Sequence, residues 1–402
     1  MPIDFHLSAS DEATRTFARH LAQTILLPAR TAYLNHSSGS QFERFLATRE
    51  YYASAASLGV LKSQVSPHLG GAAPSSSLVS STILVEECYA VEPSAALTIF
   101  ATGLGLSPLN LAGSREKHGE FLAPFLNPAQ EGVQEGGEEE KKERHAPLAS
   151  LVFSEPGGVA NVLERGGRGF QTTARQDAQT GEWIVNGEKI WACNSAGWDE
   201  KGCDLACVVC RDISDNNNNE KDEEEKDPEE KVMIILITRE DLDRNPPGAF
   251  SVVRHINTPG HTSVSGPHIR YTNVRVPAKN VLCPPGKGAQ VAFAAFDASA
   301  VLVGAMGVGL MRAAFDAALG FAKGDDRGGA VPLLERQAVA DLLSGIKIQT
   351  EAARALTWKA AHALENGPGD YNARRELALA AKVFCSEAAV KACLDAINAV
   401  GV

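Results

Sequence analysis

The sequence predicts an α+β fold in which helices come first, strands follow, and helices return. Three observations carry that prediction. Apolar residues recur at helical spacing from Ser8 to about Asn127, and alternating, turn-punctuated segments fill residues 147–283. From about Gly286 the chain turns to long, small-residue-rich stretches. The expected domains are therefore residues 1–146, 147–283 and 284–402.

Each block has its own signals. Ser8-x-x-Asp11 resembles a capping box, and Phe17, Leu21 and Ile25 then repeat every four residues. The alanine-rich SSTILVEECYAVEPSAALTIFATGLGL continues the helical texture. In the middle block, PLASLVFSEP, DLACVVCRD, VMIILITRE and HIRYTNVRVP read as strands. FQTTARQDAQTGEWIVNGEKIWA alternates, with turn signals at Gln179-Thr180-Gly181 and at Asn186-Gly187, the second a type I′ hairpin signature. A compact antiparallel barrel or sandwich fits that spacing. The last block reads as three long helices, the final one placing Val383, Val390, Leu394 and Ile397 on one face of an antiparallel bundle.

Composition narrows the function classes. The net charge of −11 is concentrated in Glu131–Arg144, net −3, and Asp212–Lys231, net −7. Both are low-complexity polar runs expected as solvated loops, so nothing argues for a nucleic-acid partner. The opening MPIDFHLSASDEATR has no basic or apolar leader, and no uninterrupted apolar run is expected to span a bilayer. A cytoplasmic protein is expected, with peroxisome or mitochondrion as alternatives. Cys203, Cys207 and Cys210 lie in an alternating stretch without a fourth ligand at zinc spacing, so they read as strand cysteines and no metal is expected.

Two short stretches look chemical. SEPGG (154–158) and NGEKIWACNS (186–195) both follow strands and mix backbone-permissive residues with small polar ones. A flat aromatic cofactor needs a backbone edge, a hydroxyl near its reactive atom and an aromatic wall. Trp191 is either that wall or a sheet-packing residue. Gly304, Gly307 and Gly309 follow no strand and read as close helix packing rather than a dinucleotide loop.

With these motifs in order, and with VRVP at Val274–Pro277 and Arg327 … Gln337-Ala-Val-Ala-Asp341 behind them, the chain resembles the acyl-CoA dehydrogenase superfamily of flavoproteins. Within it, SEPGGVAN, GEKIWACNSAGWDEKGCDLACVVCR, GHTSVSGPH and SAVLVGAMGVG are most similar to the fungal nitroalkane oxidases. The resemblance implies FAD as cofactor and a nitroalkane or an acyl-CoA as substrate. It also implies molecular oxygen or an electron-transfer flavoprotein as acceptor, and a homotetramer. Both branches open by giving the substrate's α-proton to a carboxylate.

Carried over residue by residue, Leu151, Val152, Phe153 and Ser154 with Val159, Ala160 and Asn161 should line the flavin. Trp191, Ala192 and Cys193 should run past its ring. Arg327 should reach the FAD of a neighbouring subunit, with Arg336 and Gln337 helping to hold it, and Leu394, Asp395, Ala396, Ile397 and Asn398 should form a further flavin-binding stretch. Ser299 matches the serine that nitroalkane oxidases place beside their catalytic carboxylate, and Ala300 stands where acyl-CoA dehydrogenases typically carry Arg. Nearby Asp297 reads as structural. Cys193 departs from the family's Ser or Thr, and a thiol is the weaker donor. The resemblance places the catalytic carboxylate past Val402, so a C-terminally truncated chain with little turnover of neutral nitroalkane is expected. An acyl-CoA dehydrogenase or oxidase, and an inactive scaffold or partner subunit, are the competing readings.

Overall fold

The computed structural model describes residues 6–36, 39–72, 77–128, 146–214 and 227–401. The first expected acidic loop, and residues 215–226 of the second, lie outside the described residues. Helices α1 (Ala9–Leu21), α2 (Leu27–Leu34), α3 (Gln41–Leu46), α4 (Arg49–Ser57), α5 (Leu78–Tyr89), α6 (Pro93–Ala112), α7 (Arg115–Phe121) and α8 (Ala123–Leu126) precede the strands. These are β1 (Ala149–Val152), β2 (Thr173–Gln176), β3 (Trp183–Lys189), β4 (Leu205–Asp212), β5 (Val232–Thr238), β6 (Phe250–Arg254), β7 (His268–Val276) and β8 (Val281–Cys283). Helix α9 (Arg239–Arg244) interrupts them, and α10 (Gly288–Gly324), α11 (Gln337–Asn366) and α12 (Tyr371–Val400) follow. Helices, sheet and helices thus appear in the expected order. Two compact units result: Met1–Pro28 with Ala73–Ala96 and Phe296–Val402, and Ala29–Ala72 with Leu97–Ala295.

In the helical unit, Ser8 caps α1, its hydroxyl oxygen accepting the Asp11 N–H at 3.1 Å. The Asp11 carboxylate accepts hydroxyls from Ser8 at 2.7 Å and from Ser80 at 2.6 Å, which fastens α1 to α5. Helix α10 is shaved by glycine where it meets its neighbours. A Cβ at Gly307 would lie 2.8 Å from the Cys385 carbonyl oxygen, and one at Gly309 2.7 Å from that of Glu86. These glycines are packing residues, as the sequence suggests.

Such close approach leaves room only for small side chains on α12, which buries Ala378, Ala381, Cys385, Ala388, Ala389, Ala392, Ala396 and Ala399. The apolar face expected to enter the bundle points the other way. Val383, Val390, Leu394 and Ile397 are all exposed, Val390 by 63%.

The sheet unit holds the strand order β6-β7-β3-β2-β4-β5-β8, with β1 added beside β4. It is mixed rather than wholly antiparallel, because β1 and β2 both run parallel to β4. Parallel neighbours need long connections, and the strands between β1 and β4 supply one. The β2–β3 turn forms at the first predicted signal: the Gly181 N–H donates to the Asp177 carbonyl at 2.8 Å. Asn186-Gly187 is not a hairpin turn. It lies inside β3 at a bulge against β7. Gly187 has φ +142, and a Cβ there would come within 2.5 Å of the Thr172 Cα, so glycine serves close backbone approach.

Buried β4 and β5 form the sheet's core. Cys207 and Cys210 sit on β4, Cys203 just ahead of it and Cys283 on β8, all buried free thiols. Burial pushes the Cys210 thiol up to about 12 and that of Cys283 to about 11. Contrary to the sequence expectation, α6 and α10 are long and apolar enough to cross a membrane by composition. In the fold 61% and 50% of their most apolar windows are buried, so that apolarity is spent on packing.

Candidate functional site

The two chemical stretches meet where β1 and β3 end. The Ile190 N–H donates to the Ser154 carbonyl at 2.9 Å, and the Ser150 hydroxyl donates to the Cys193 carbonyl at 2.7 Å. Beneath them lies a buried ion pair. Lys189 Nζ donates to the Phe153 carbonyl and to Glu155, each at 2.9 Å, and stands 4.8 Å from the Phe170 ring centroid. Glu155 also accepts the N–H groups of Gln171 at 2.7 Å and Thr172 at 2.9 Å. Burial alone would raise the Glu155 carboxyl, but the Lys189 charge and the two amides outweigh it and hold it below the ordinary range. Burial lowers the Lys189 ammonium against the pull of Glu155.

Past Lys189 the backbone turns sharply, with Trp191 at φ 65 and Asn194 at φ 70. Asn194 holds the turn from inside. Its N–H donates to the Ser265 carbonyl at 2.8 Å and its side-chain amide to the Thr98 carbonyl at 2.9 Å. The strained φ is held by these contacts. It leaves the Trp191 indole 52% exposed, so Trp191 is not a sheet-packing residue. Trp191 borders a cleft of about 230 Å³ lined also by Leu97, Cys193, Ile256, His261 and Gly266. Burial pushes the Cys193 thiol up to about 11, so at neutral pH it is a protonated donor.

Of the other candidates here, Leu151, Val152, Phe153 and Ala192 are buried, Ser154 and Val159 half-buried, and Ala160 and Asn161 exposed. An exposed indole, a thiol donor and a turn whose Gly157 and Gly158 have open space beside them suit a flat heteroaromatic ring.

The remaining candidates belong to the helical unit. The Ser299 hydroxyl donates to the Phe296 carbonyl at 2.9 Å within α10. Asp297 is buried, accepts the Tyr371 hydroxyl at 2.8 Å and pairs with Arg375 at 3.0 Å, which pins α10 to α12. Arg327, at φ 53, donates to the Val400 carbonyl and stacks 4.9 Å from the Phe321 centroid. The structure thus brings Arg327 to the C-terminal end of α12. Arg336 stands just before α11 without a side-chain cap bond, its guanidinium beside Gly329, and Gln337 donates to Asp341 at 2.7 Å. Leu394, Ile397 and Asn398 are exposed, Asp395 half-buried and Ala396 buried. Half-exposed Arg327 keeps a guanidinium edge suited to a phosphate.

The sequence reading missed the Lys189–Glu155 pair. Its only signal was one opposite charge in each of the two quoted motifs. The same reading cites GHTSVSGPH (260–268) for its resemblance without assigning it to the site, because the proximity of His261 to Trp191 is set by tertiary structure.

Comparison with known proteins gives a consistent picture. Residues 8–128 match the acyl-CoA dehydrogenase N-terminal domain, and residues 286–402 the acyl-CoA dehydrogenase C-terminal domain. The chain is 69% identical over 402 residues to a nitroalkane oxidase from Podospora anserina, covering all of this chain and 87% of that protein. It is 43% identical over 400 residues to a nitroalkane oxidase from Fusarium oxysporum, covering 99% of this chain and 86% of that one. A solved structure of the Podospora anserina enzyme superposes with a TM-score of 0.90 at 67% identity, covering 100% of this chain and 88% of that chain.

Proposed function

Because the chain belongs to the acyl-CoA dehydrogenase family of flavoproteins, we propose that it is an FAD-dependent nitroalkane oxidase. It would convert a nitroalkane, oxygen and water into an aldehyde or ketone, nitrite and hydrogen peroxide. The observation that carries this reading is 69% identity to a nitroalkane oxidase along all 402 residues.

When bound, FAD supplies the two-electron acceptor and its return to the oxidised state by oxygen. Leu151–Ser154, Val159–Asn161 and Trp191–Cys193 would hold its ring, with the protonated Cys193 thiol donating where relatives use a hydroxyl. Arg327 would meet the pyrophosphate bound in a neighbouring copy, supported by Arg336, Gln337 and Leu394–Asn398. Ser299 would orient the catalytic carboxylate. The exposed Val383 and Val390 suit a face covered by another copy, in keeping with a homotetramer. A cytoplasmic location suits the enzyme.

The test uses the anion of nitroethane, which has already lost its α-proton and so requires no base. Mixed anaerobically with the FAD-loaded chain, it is expected to bleach the flavin. Nitrite should appear with that bleaching, one per flavin reduced, and admitting oxygen should then restore the flavin colour with one peroxide per flavin reoxidised. Bleaching by butyryl-CoA, with the nitroethane anion inert, would sink the proposal in favour of acyl-CoA chemistry.

A further inference from the structure

The cleft beside Trp191 has a wall with its own fastener. Residues 256–266 form that wall, and four of its hydrogen bonds go to one buried side chain that also borders the cleft, Gln41 of α3, only 5% exposed. Its amide nitrogen donates to the Val264 carbonyl at 2.7 Å and to the His261 carbonyl at 3.3 Å. Its amide oxygen accepts the Thr258 N–H at 2.7 Å and the Thr258 hydroxyl at 3.2 Å. One carboxamide thus closes the wall from both ends.

The wall needs such a clasp. His261 sits at φ 51, a left-handed value costly for a non-glycine residue. The buried hydroxyls of Ser263 and Ser265 find no hydrogen-bond partner and add no anchorage. Next to Val264, the Ser265 carbonyl accepts the Asn194 N–H at 2.8 Å, and a Cβ on Gly266 would meet the Trp191 carbonyl oxygen at 3.6 Å. A continuous path of contacts therefore runs from Gln41 through Val264 and Ser265 to the turn that presents Trp191 and Cys193.

We propose that Gln41 is a positioning residue: through the wall at residues 256–266 it sets the Trp191–Cys193 turn and the width of the cleft. That this cleft serves the flavin and substrate rests on the function proposed above, whereas the mechanical coupling does not. The experiment therefore has two readouts. The first is the rate at which iodoacetamide alkylates Cys193, followed by peptide mass mapping on the full chain. The second is FAD affinity, with KM and kcat for the nitroethane anion.

Gln41→Leu removes all four contacts. Isosteric Gln41→Glu keeps the acceptor toward Thr258 but turns an oxygen against the Val264 carbonyl, and it decides the matter if the Leu variant fails to fold. Both are expected to speed Cys193 alkylation about tenfold, as a locally opened wall would. Both should raise KM by a similar factor with kcat changed less. Unchanged alkylation in a folded Gln41→Glu variant would overturn the proposal. Faster alkylation in a protein that binds no flavin would uphold it while refuting the flavin reading.

Discussion

At the scale of the residue, Lys189 shows what a buried charge is for. With its side chain fully buried, it ties the Phe153 carbonyl to Glu155 and so joins the two loops that carry the candidate site. Lys189→Met leaves Glu155 buried without its counter-ion, a loss of roughly 3–5 kcal/mol. Urea unfolding should show that fall as a lower midpoint. Gly187→Ala is expected to cost about 1–3 kcal/mol for its φ alone. Its Cβ would also press on the Thr172 Cα at 2.5 Å, and the drop in thermal midpoint should exceed that of Gly181→Ala, where a Cβ meets open space. Cys193→Ser puts a stronger hydroxyl donor in place of the thiol and, on the proposed function, is expected to speed flavin reduction by the nitroethane anion in stopped-flow traces.

Among elements, a chain of charges fastens α1 and α5 to α10 and α11. Arg312 bridges Glu86 at 2.9 Å and Glu87 at 2.7 Å, Arg19 reaches Glu87 at 3.1 Å, and Arg354 grips Glu86 at 2.9 Å. Burial pushes the Glu87 carboxyl up, yet Arg312 and Arg19 outweigh it and leave it below its ordinary value. Its contribution is therefore complete above the unfolded value of about 4.3 and fades as pH falls through the lower folded one. Helical circular dichroism should lose thermal midpoint below about pH 4, and Arg312→Met should flatten that acid limb. Helix existence and order were legible in the sequence because apolar spacing is local. The orientation of α12 was not. Its large apolar residues mark the outer face, and only the glycines of α10 explain why alanine fills the inner one. The Asn186-Gly187 hairpin failed for a related reason: the dipeptide's local preference yielded to a bulge demanded by β7 and Thr172.

Taken as a whole molecule, the chain leaves an apolar stripe along α12 and gathers its candidate residues in two units. Val383→Glu with Val390→Glu should shift the sedimentation coefficient toward a single chain if copies assemble on that stripe. The motifs that carry the site were readable because they are contiguous. The contact between Gln41 and His261 was not, the two being 220 positions apart in the sequence and joined only by folding. One consequence concerns the thiols of the sheet unit. An oxidase that releases peroxide bathes itself in an oxidant that attacks thiolates rather than thiols. Cys203, Cys207, Cys210 and Cys283 are buried, and burial lifts each of them far from ionisation at neutral pH. The sheet that carries the site is thereby armoured against its own product, and it is expected to pass through many turnovers without a sulfenic acid forming on β4.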